Sequence, residues 1–390
     1  MRVDSMPLAA LAEVRSGGGA PQDSSAFTTS GHPFVRAGSL SKLLSGAIED
    51  TLEHLQPKTA AEHGLRLFPS GTVLFAKSGM SATKGHVYRL RRPAYVVNHL
   101  AALIPRRPDD SAFLVRLLER CSPVVLVKDP AYPSIRLGDI EDMQVLVPPN
   151  PDDRLRIAEV LDRADALRAK RRAALAQLDT LTQSIFLDMF GDPVSNPRKW
   201  PLKKLGDPDV GSLDRGISRH RPRNAPELLG GQYPLVQTGE VANCDGYIRD
   251  HHAAYSDLGL RQSKMWPAGT LCITIAANIA KAGILTFDAC FPDSVVGFRA
   301  RHGATVEFVR TWLSFRQKAL EESAPESAQK NINLAILRDL DIPFPPLHAQ
   351  RDFAGRVAKV ERTKAAHRAS LTQLDALFAS LQHDAFRGAL

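Results

Sequence analysis

At 390 residues the chain is long enough for two or three domains with cores of their own. A hydrophobic fraction of 44% and a charged fraction of 24% are ordinary for a soluble globular protein, and 50 Lys and Arg against 42 Asp and Glu permit a polyanionic partner without demanding one. Cys121, Cys244, Cys272 and Cys290 show no CxxC or Cys/His ligand spacing, which argues against a structural zinc site and an oxidised framework; no metal or cofactor is expected. The start "MRVDSMPLAALAEV" has no long apolar run of the signal-peptide kind. The most apolar stretch, "TLCITIAANIAKAGIL", is interrupted by Asn278 and Lys281 and is too short to cross a bilayer. The expected setting is cytoplasmic, with no membrane partner.

In chain order, "TVLFA" (72–76) and "YVVNHLAALI" (95–104) are short apolar runs bounded by Gly and Pro, and predict strands; 111–120 predicts a short helix. A long helix follows, from about 152 to 190. Asn150 can cap it, Pro151 suits its first position, and Asp152 and Asp153 favour the positive end of its dipole. Its apolar stripe runs through Ile157, Val160, Ala164, Leu167, Ala174, Leu178, Leu181 and Ile185, with a gap at Arg171. Gly191, Pro193, Pro197 and Pro201 in "FGDPVSNPRKWP" forbid continuation. "TLCITIA" and "SVVGF" then predict further strands and 305–320 another helix. A second long helix carries Phe353, Val357, Val360, Leu371, Leu374, Leu377 and Leu381 on one face, with His367 standing where Arg171 stands in the first.

The second half repeats the first. "AKRRAALAQLDTL" (169–181) and "AAHRASLTQLDAL" (365–377) align with an offset of 196, and identical residues include Arg172/Arg368, Leu178/Leu374 and Asp179/Asp375. "PLAALAEV" (7–14) resembles "PLKKLGDP" (201–208), "PFVRAGSL" (33–40) resembles "PLVQTGEV" (234–241), and "IRLGDIEDMQVLVPP" (135–149) resembles "INLAILRDLDIPFPP" (332–346). This predicts an α+β chain of two pseudo-symmetric domains, 1–150 and 197–346, alternating with spacer helices over 151–196 and 347–390. A helix of this length, roughly 55 to 60 Å, cannot bury its stripe against a small domain of its own. The expected partner of each stripe is the other, antiparallel; the alternative is a stripe packed on its own domain or on another protein. Arg171 and His367 then either fix the register from within the seam or snorkel at its edge.

Two similar domains on a rigid spacer suit a linear target with repeating geometry, and a basic chain suggests DNA. The spacer length is on the order of one and a half turns of B-DNA, so the expected target is two short blocks flanking an unread gap. "AKSGMSATKGHVYRLRRP" offers Lys77, Ser78, Lys84, His86 and Arg89 in the first half; "DRGISRHRPRN" offers Arg215, Arg219, His220, Arg221 and Arg223 in the second, where Gln237, Thr238, Asn278 and Lys281 are further candidate contacts. Such side chains grip phosphates or read base edges. The helices repeat well and the candidate readers do not: "VRAGSL" faces "VQTGEV", and "AKSGMSATK" faces "TIAANIAK".

"PLVQTGEV", "GTLCITIAANIAKAGIL…CFPDSVVGF", "LRDLDIPFPPLHAQRDFA" and "RIAEVLDRADALRAKRRAALAQLDTLTQSIFLDMFGDP" resemble the specificity subunits of type I restriction-modification systems, and the likeness extends over nearly the whole chain. The first domain departs most, with "GMSATK" in place of an "AANIAK"-like run. The resemblance implies a non-catalytic subunit that reads double-stranded DNA with two target-recognition domains. It also implies two adenine-methyltransferase (modification) subunits and ATP-driven restriction subunits as partners, and an antiparallel coiled coil. No cofactor-binding glycine turn with an NPPY-type motif and no GxxxxGK[ST] loop is present, which argues against a methyltransferase or a motor in this chain. "PDSVVGFRAR" lacks the Glu-x-Lys of a nuclease, and His251-His252 are expected to be structural or surface residues and not metal ligands. A coiled-coil scaffold with two protein-binding domains is the alternative outside DNA recognition.

Overall fold

The structure is a computed structural model that describes residues 2–220, 222–223, 225–276, 279–323 and 332–388. The chain divides into two compact units, Met1–Arg172 with Ser370–Leu390, and Ala173–Ala369. It is an α+β fold, and each unit holds two sheets of four or five strands, a two-stranded pair and one end of each of two long helices, Pro151–Phe190 and Leu347–Ala385.

In the first unit, Ala12–Ser16, Leu100–Pro105, Val73–Ala76 and Val87–Arg89 pair antiparallel in that order. A second sheet runs His54–Leu55, His32–Val35, Ala94–Val96 and Leu67–Phe68. The unbroken apolar strand sequences have a structural reason: both faces of the first sheet are covered. Val73, Phe75, Ala101 and Leu103 join a core with Phe113, Leu114 and Leu117 of the helix Asp110–Arg120, whereas Leu74, Ala76, Leu100 and Ala102 join the core shared with the second sheet. The period of two in a strand divides one run between two cores.

The second unit repeats this order. Gly211–Arg215, Val295–Ala300, Leu271–Thr274 and Ala282–Leu285 form its first sheet, with Tyr247–Ile248 added in parallel at the edge; Ala253–Tyr255, Leu229–Leu235, Ala289–Cys290 and Met265–Trp266 form the second. Again Leu271, Ile273, Val296 and Phe298 face the helix side, with Phe308 and Trp312 of Val306–Ser323, while Cys272 and Val295 face Trp266 and Phe291. Gly17 and Gly216 sit at equivalent places. A Cβ at either would collide with backbone carbonyls, of Val96 and Val97 in one unit and of Phe291 and Pro292 in the other, so only glycine lets the chain pass. Short antiparallel pairs, Asp4–Pro7 with Gln144–Val147 and Leu202–Lys204 with Asp341–Pro343, join the beginning of each domain to the stretch just before its long helix.

The first long helix starts where Asn150 accepts from the Asp152 N–H at 3.1 Å, and ends at Gly191, whose φ of +78° lets the chain turn off. Within the first unit its early turns pack against the last turns of the second helix: Ile157, Ala158 and Leu161 share a core with Leu381, Ala385 and Phe386. Within the second unit its late turns meet the early turns of the second helix, Phe186 lying 5.5 Å from Phe353. Inside each unit the pairing is therefore antiparallel.

The seam follows a strict heptad, one residue away from part of the sequence reading. One line is Arg154, Leu161, Arg168, Leu175, Thr182 and Met189, matched by Gln350, Val357, Lys364, Leu371, Phe378 and Ala385; none of these is exposed. The other passes through Ile157, Ala164, Arg171, Leu178 and Ile185, matched by Phe353, Val360, His367, Leu374 and Leu381, all buried or half-buried. Leu167 and Leu377 (52% and 51% exposed) and Leu181 (39%) lie outside it, and Val160 is only half-buried. Apolar periodicity misses the first line because Arg154, Arg168, Thr182, Gln350 and Lys364 occupy it, and Leu167 and Leu181 stand one residue before Arg168 and Thr182.

Candidate nucleic-acid interface

In the second unit the loop after the strand Gly211–Arg215 is anchored by its backbone. The Gln262 side-chain oxygen, just past the helix Asp257–Arg261, accepts from the N–H groups of Arg219 and His220 at 2.7 and 3.1 Å. Both side chains are left exposed, with His220 near Glu227 at 3.7 Å. Arg215 donates to the Asp293 carbonyl at 3.1 Å, and Arg223 pairs with the Asp293 carboxylate at 2.5 Å. Arg223, Gln237, Thr238 and Ser294 line one pocket floored by Tyr255, Leu229 and Leu235. The structure thus gathers Arg215, Arg223, Gln237 and Thr238 around Asp293 and Ser294, a setting of guanidinium, amide and hydroxyl groups able to meet phosphate oxygens or base edges.

Gln237 precedes the short helix Thr238–Asn243, and its N–H donates to Glu240 at 3.1 Å. Burial tends to raise the Glu240 carboxyl, but hydrogen bonds from nearby N–H groups and from His252 outweigh it and hold the group below the usual carboxylate range. Lys281 lies half-buried beside the strand Ala282–Leu285, its carbonyl accepting from the Thr274 N–H at 2.9 Å. Arg221 and Asn278 lie outside the described residues.

In the first unit, Lys77, Ser78, Lys84 and His86 cluster at the turn end of the hairpin formed by Val73–Ala76 and Val87–Arg89. Ser78 hydrogen-bonds the His99 ring at 2.7 Å, and Ser41 that of His86 at 3.3 Å. Arg89 does not join them. It pairs across from Val73 at the opposite end of the hairpin, in a recess with Arg116, Asp162 and Asp165.

Two features carried no sequence signal. The segment 122–135 is stitched to this hairpin turn: Gly79 N–H donates to the Pro133 carbonyl at 2.9 Å, Ile135 N–H to the Lys77 carbonyl at 2.7 Å, and Ser78 and Ser134 form an antiparallel bridge. Only tertiary pairing across more than fifty residues makes it part of the face. In the second unit, Arg299, Arg301, His302 and Arg351 share one recess at the far end of the strand Val295–Ala300 from Asp293. No group of three or more His, Cys, Asp or Glu able to hold a metal occurs among the described residues, and no helix among them is long and apolar enough to cross a membrane.

Residues 197–376 match the family model described as type I restriction modification DNA specificity domain. The type I restriction enzyme MjaIX specificity subunit of Methanocaldococcus jannaschii is 26% identical over 144 residues, which make up 36% of this chain and 33%, about a third, of that relative's length. The crystal structure of the type-I restriction-modification S subunit from M. genitalium superposes with a TM-score of 0.63 at 12% identity, covering 99% of this chain and 96% of that one. A chain from a structure concerned with complex assembly and conformational transition of the type I R-M system gives 0.57 at 17% identity, over 100% and 98%. At such identities the structural likeness is one of fold.

Proposed function

We propose that this chain, whose residues 197–376 match the type I restriction modification DNA specificity domain, is the non-catalytic, DNA-reading subunit of a type I restriction-modification complex. Its target would be a bipartite, asymmetric sequence in duplex DNA, one half-site read by the domain in 1–150 and the other by that in 197–346. The observation that carries this reading is the contrast between frame and loops. Both units keep one strand order and one way of pairing the long helices, while the loops that bear Lys77, Ser78 and Lys84 in one unit and Arg215, Arg223, Gln237 and Thr238 in the other share no side-chain pattern. A bidentate contact provides roughly 1–3 kcal/mol of base discrimination, so a few such differences are enough to make the half-sites unlike. The partners implied are modification subunits, two in number, and restriction subunits; this chain contributes the address and they the chemistry.

The test is a map of methylated adenines in cells expressing this chain with its modification subunit, against cells expressing that subunit alone. A new two-part motif that depends on this chain supports the reading. No new methylation from soluble, associated proteins would replace it with a scaffold role.

A further inference from the structure

The three most exposed large apolar side chains among the described residues are Tyr132 (82%), Val125 (76%) and Met80 (66%), and they lie on the two loops of the first unit that the backbone ties together. Met80 opens the turn between the hairpin strands. Tyr132 stands one residue before Pro133, whose carbonyl is bonded to Gly79, and Val125 follows Val124, which packs over Gly85. The display of Tyr132 is rigid. Asp129 accepts from the Ala131 N–H at 2.8 Å in a local turn, Pro130 lies inside that turn, and Pro133 restricts Tyr132 to extended backbone. A monomer gains nothing by holding a tyrosine in water on so stiff a loop, and exposed apolar side chains gathered on two joined loops mark a contact surface.

Charge decides what the surface meets. Lys77 and Lys84 flank the tip, and neither forms an ion pair with a carboxylate among the described residues; Lys128, on the same segment, is paired with Asp139 at 3.1 Å. Apolar and aromatic side chains inside a cationic rim suit duplex DNA, where lysines take the phosphates and the ring takes a base face exposed by partial unstacking. Resting on the DNA-reading role above, we propose that Tyr132, supported by Met80, inserts against one base step of the half-site read by the first domain and unstacks it, so that the deformability of that step becomes part of the specificity.

The test uses the complex with modification subunits and duplexes of the mapped target carrying 2-aminopurine at successive positions away from the methylated adenines, which a methyltransferase itself extrudes from the stack. Fluorescence is expected to rise on binding at one step of one half-site. Tyr132→Ala should abolish the rise and weaken binding on the order of 5- to 100-fold, and Tyr132→Trp should preserve both. Tight binding with no rise at any position, or a rise unchanged in the Tyr132→Ala/Met80→Ala variant, overturns the insertion and leaves the DNA-reading role standing. Failure of the unaltered complex to bind any duplex overturns both. Loss of the modification subunit from Tyr132→Ala, with the rise intact, would assign the tip to a protein contact instead.

Discussion

The Lys364 ammonium, with only 4% of its side chain exposed, donates to the Asp179 carboxylate at 2.7 Å, joining the two long helices inside the second unit. Shifting both numbers by 196 gives Arg168 and Asp375, and these pair at 2.6 Å inside the first unit. The same bridge is written twice because the helices are written twice. Each cation occupies a heptad position that faces the opposite helix, where an apolar residue would normally sit. Lys364 is also met by Glu361 at 3.5 Å and Asp245 at 3.4 Å, and Arg168 by Asp165 at 2.9 Å and the Phe378 ring at 4.3 Å. A polar residue at a seam position costs stability and fixes register, since a slip of one heptad would leave the charge buried without its acid.

Replacing Lys364 by Met tests this division of labour. Methionine fills similar volume, Asp179 and Asp245 are half-exposed and can rehydrate, and Glu361 keeps Arg249 at 2.6 Å. Lys364→Met should therefore change unfolding stability by no more than about 1 kcal/mol, whereas Asp179→Ala with Asp245→Ala, which leaves the buried ammonium only the more distant Glu361 that Arg249 already holds, should cost about 3 kcal/mol. Urea denaturation of the three proteins decides it; a larger loss for the methionine variant would show that the bridge itself is the stabilising element.

The heptad cations also mark where sequence reading stops. Helix ends, strand runs and the duplication are local or repeated signals, and "TVLFA", "TLCITIA" and the Asn150–Pro151 start are all visible in composition. The seam line through Arg168 and Lys364 is not, because polar residues hide it and the eye slides to Leu167 and Leu181. Arg89 reads as part of a basic run, yet a strand separates it from Lys84. Tyr132 gives no signal at all, since what ties its loop to that of Met80 is backbone pairing between segments distant in sequence.

A second buried polar group holds each domain to its helix. Arg154 makes a two-point ion pair with Asp110 at 2.8 and 3.0 Å and also donates to the Pro148 and Pro149 carbonyls. At the equivalent place, Gln350 donates to the Gly303 and Pro345 carbonyls and accepts from Thr305 N–H. Asp110→Ala leaves a buried guanidinium without its carboxylate and should cost about 3–5 kcal/mol. Gln350→Ala loses neutral hydrogen bonds and should cost about 1–3 kcal/mol. Thermal unfolding compared between the two variants checks the ranking; equal losses would refute the charge argument.

Three of the six tyrosines should titrate late, Tyr95 through its burial alone and Tyr88 and Tyr247 more strongly. Burial, followed by the hydrogen bond to Glu49, pushes Tyr88 up to about 12, and burial, followed by the Glu307 charge, pushes Tyr247 up to about 12. A hydroxyl raised above its unfolded value of roughly 10 contributes stability that is complete below that pH and is lost as pH climbs through the folded value. The fold should therefore weaken between about pH 10 and 12. Ultraviolet titration at rising pH should show a delayed phase, and Tyr88→Phe should remove part of it. A phase unaltered by that substitution would count against the assignment.

Exchanging residues 1–150 for the corresponding domain of another specificity subunit should alter one block of the methylation motif and leave the other block unchanged. The joint falls just after Asn150, so both seam lines remain native and the incoming domain has to supply a capping residue in place of Asn150. A change in both blocks would mean that each domain does not read alone.

Inserting seven residues into each long helix, after 176 and after 372, tests whether the spacer sets the gap. Seven residues add about 10.5 Å of helix and return the side chains to within about 20° of their former direction, so the seam re-forms with one more heptad. The sites match under the offset of 196, which keeps the Arg168–Asp375 and Lys364–Asp179 pairings complementary after insertion. At 3.4 Å per base pair the unread gap should lengthen by about three base pairs, with both half-site sequences unchanged in the adenine-methylation map. Insertion into only one helix breaks the match, places a cation opposite the wrong heptad, and should abolish methylation instead of moving it. If the paired insertion changes the half-sites and leaves the gap as it was, the helices hold the domains without measuring the distance between their targets.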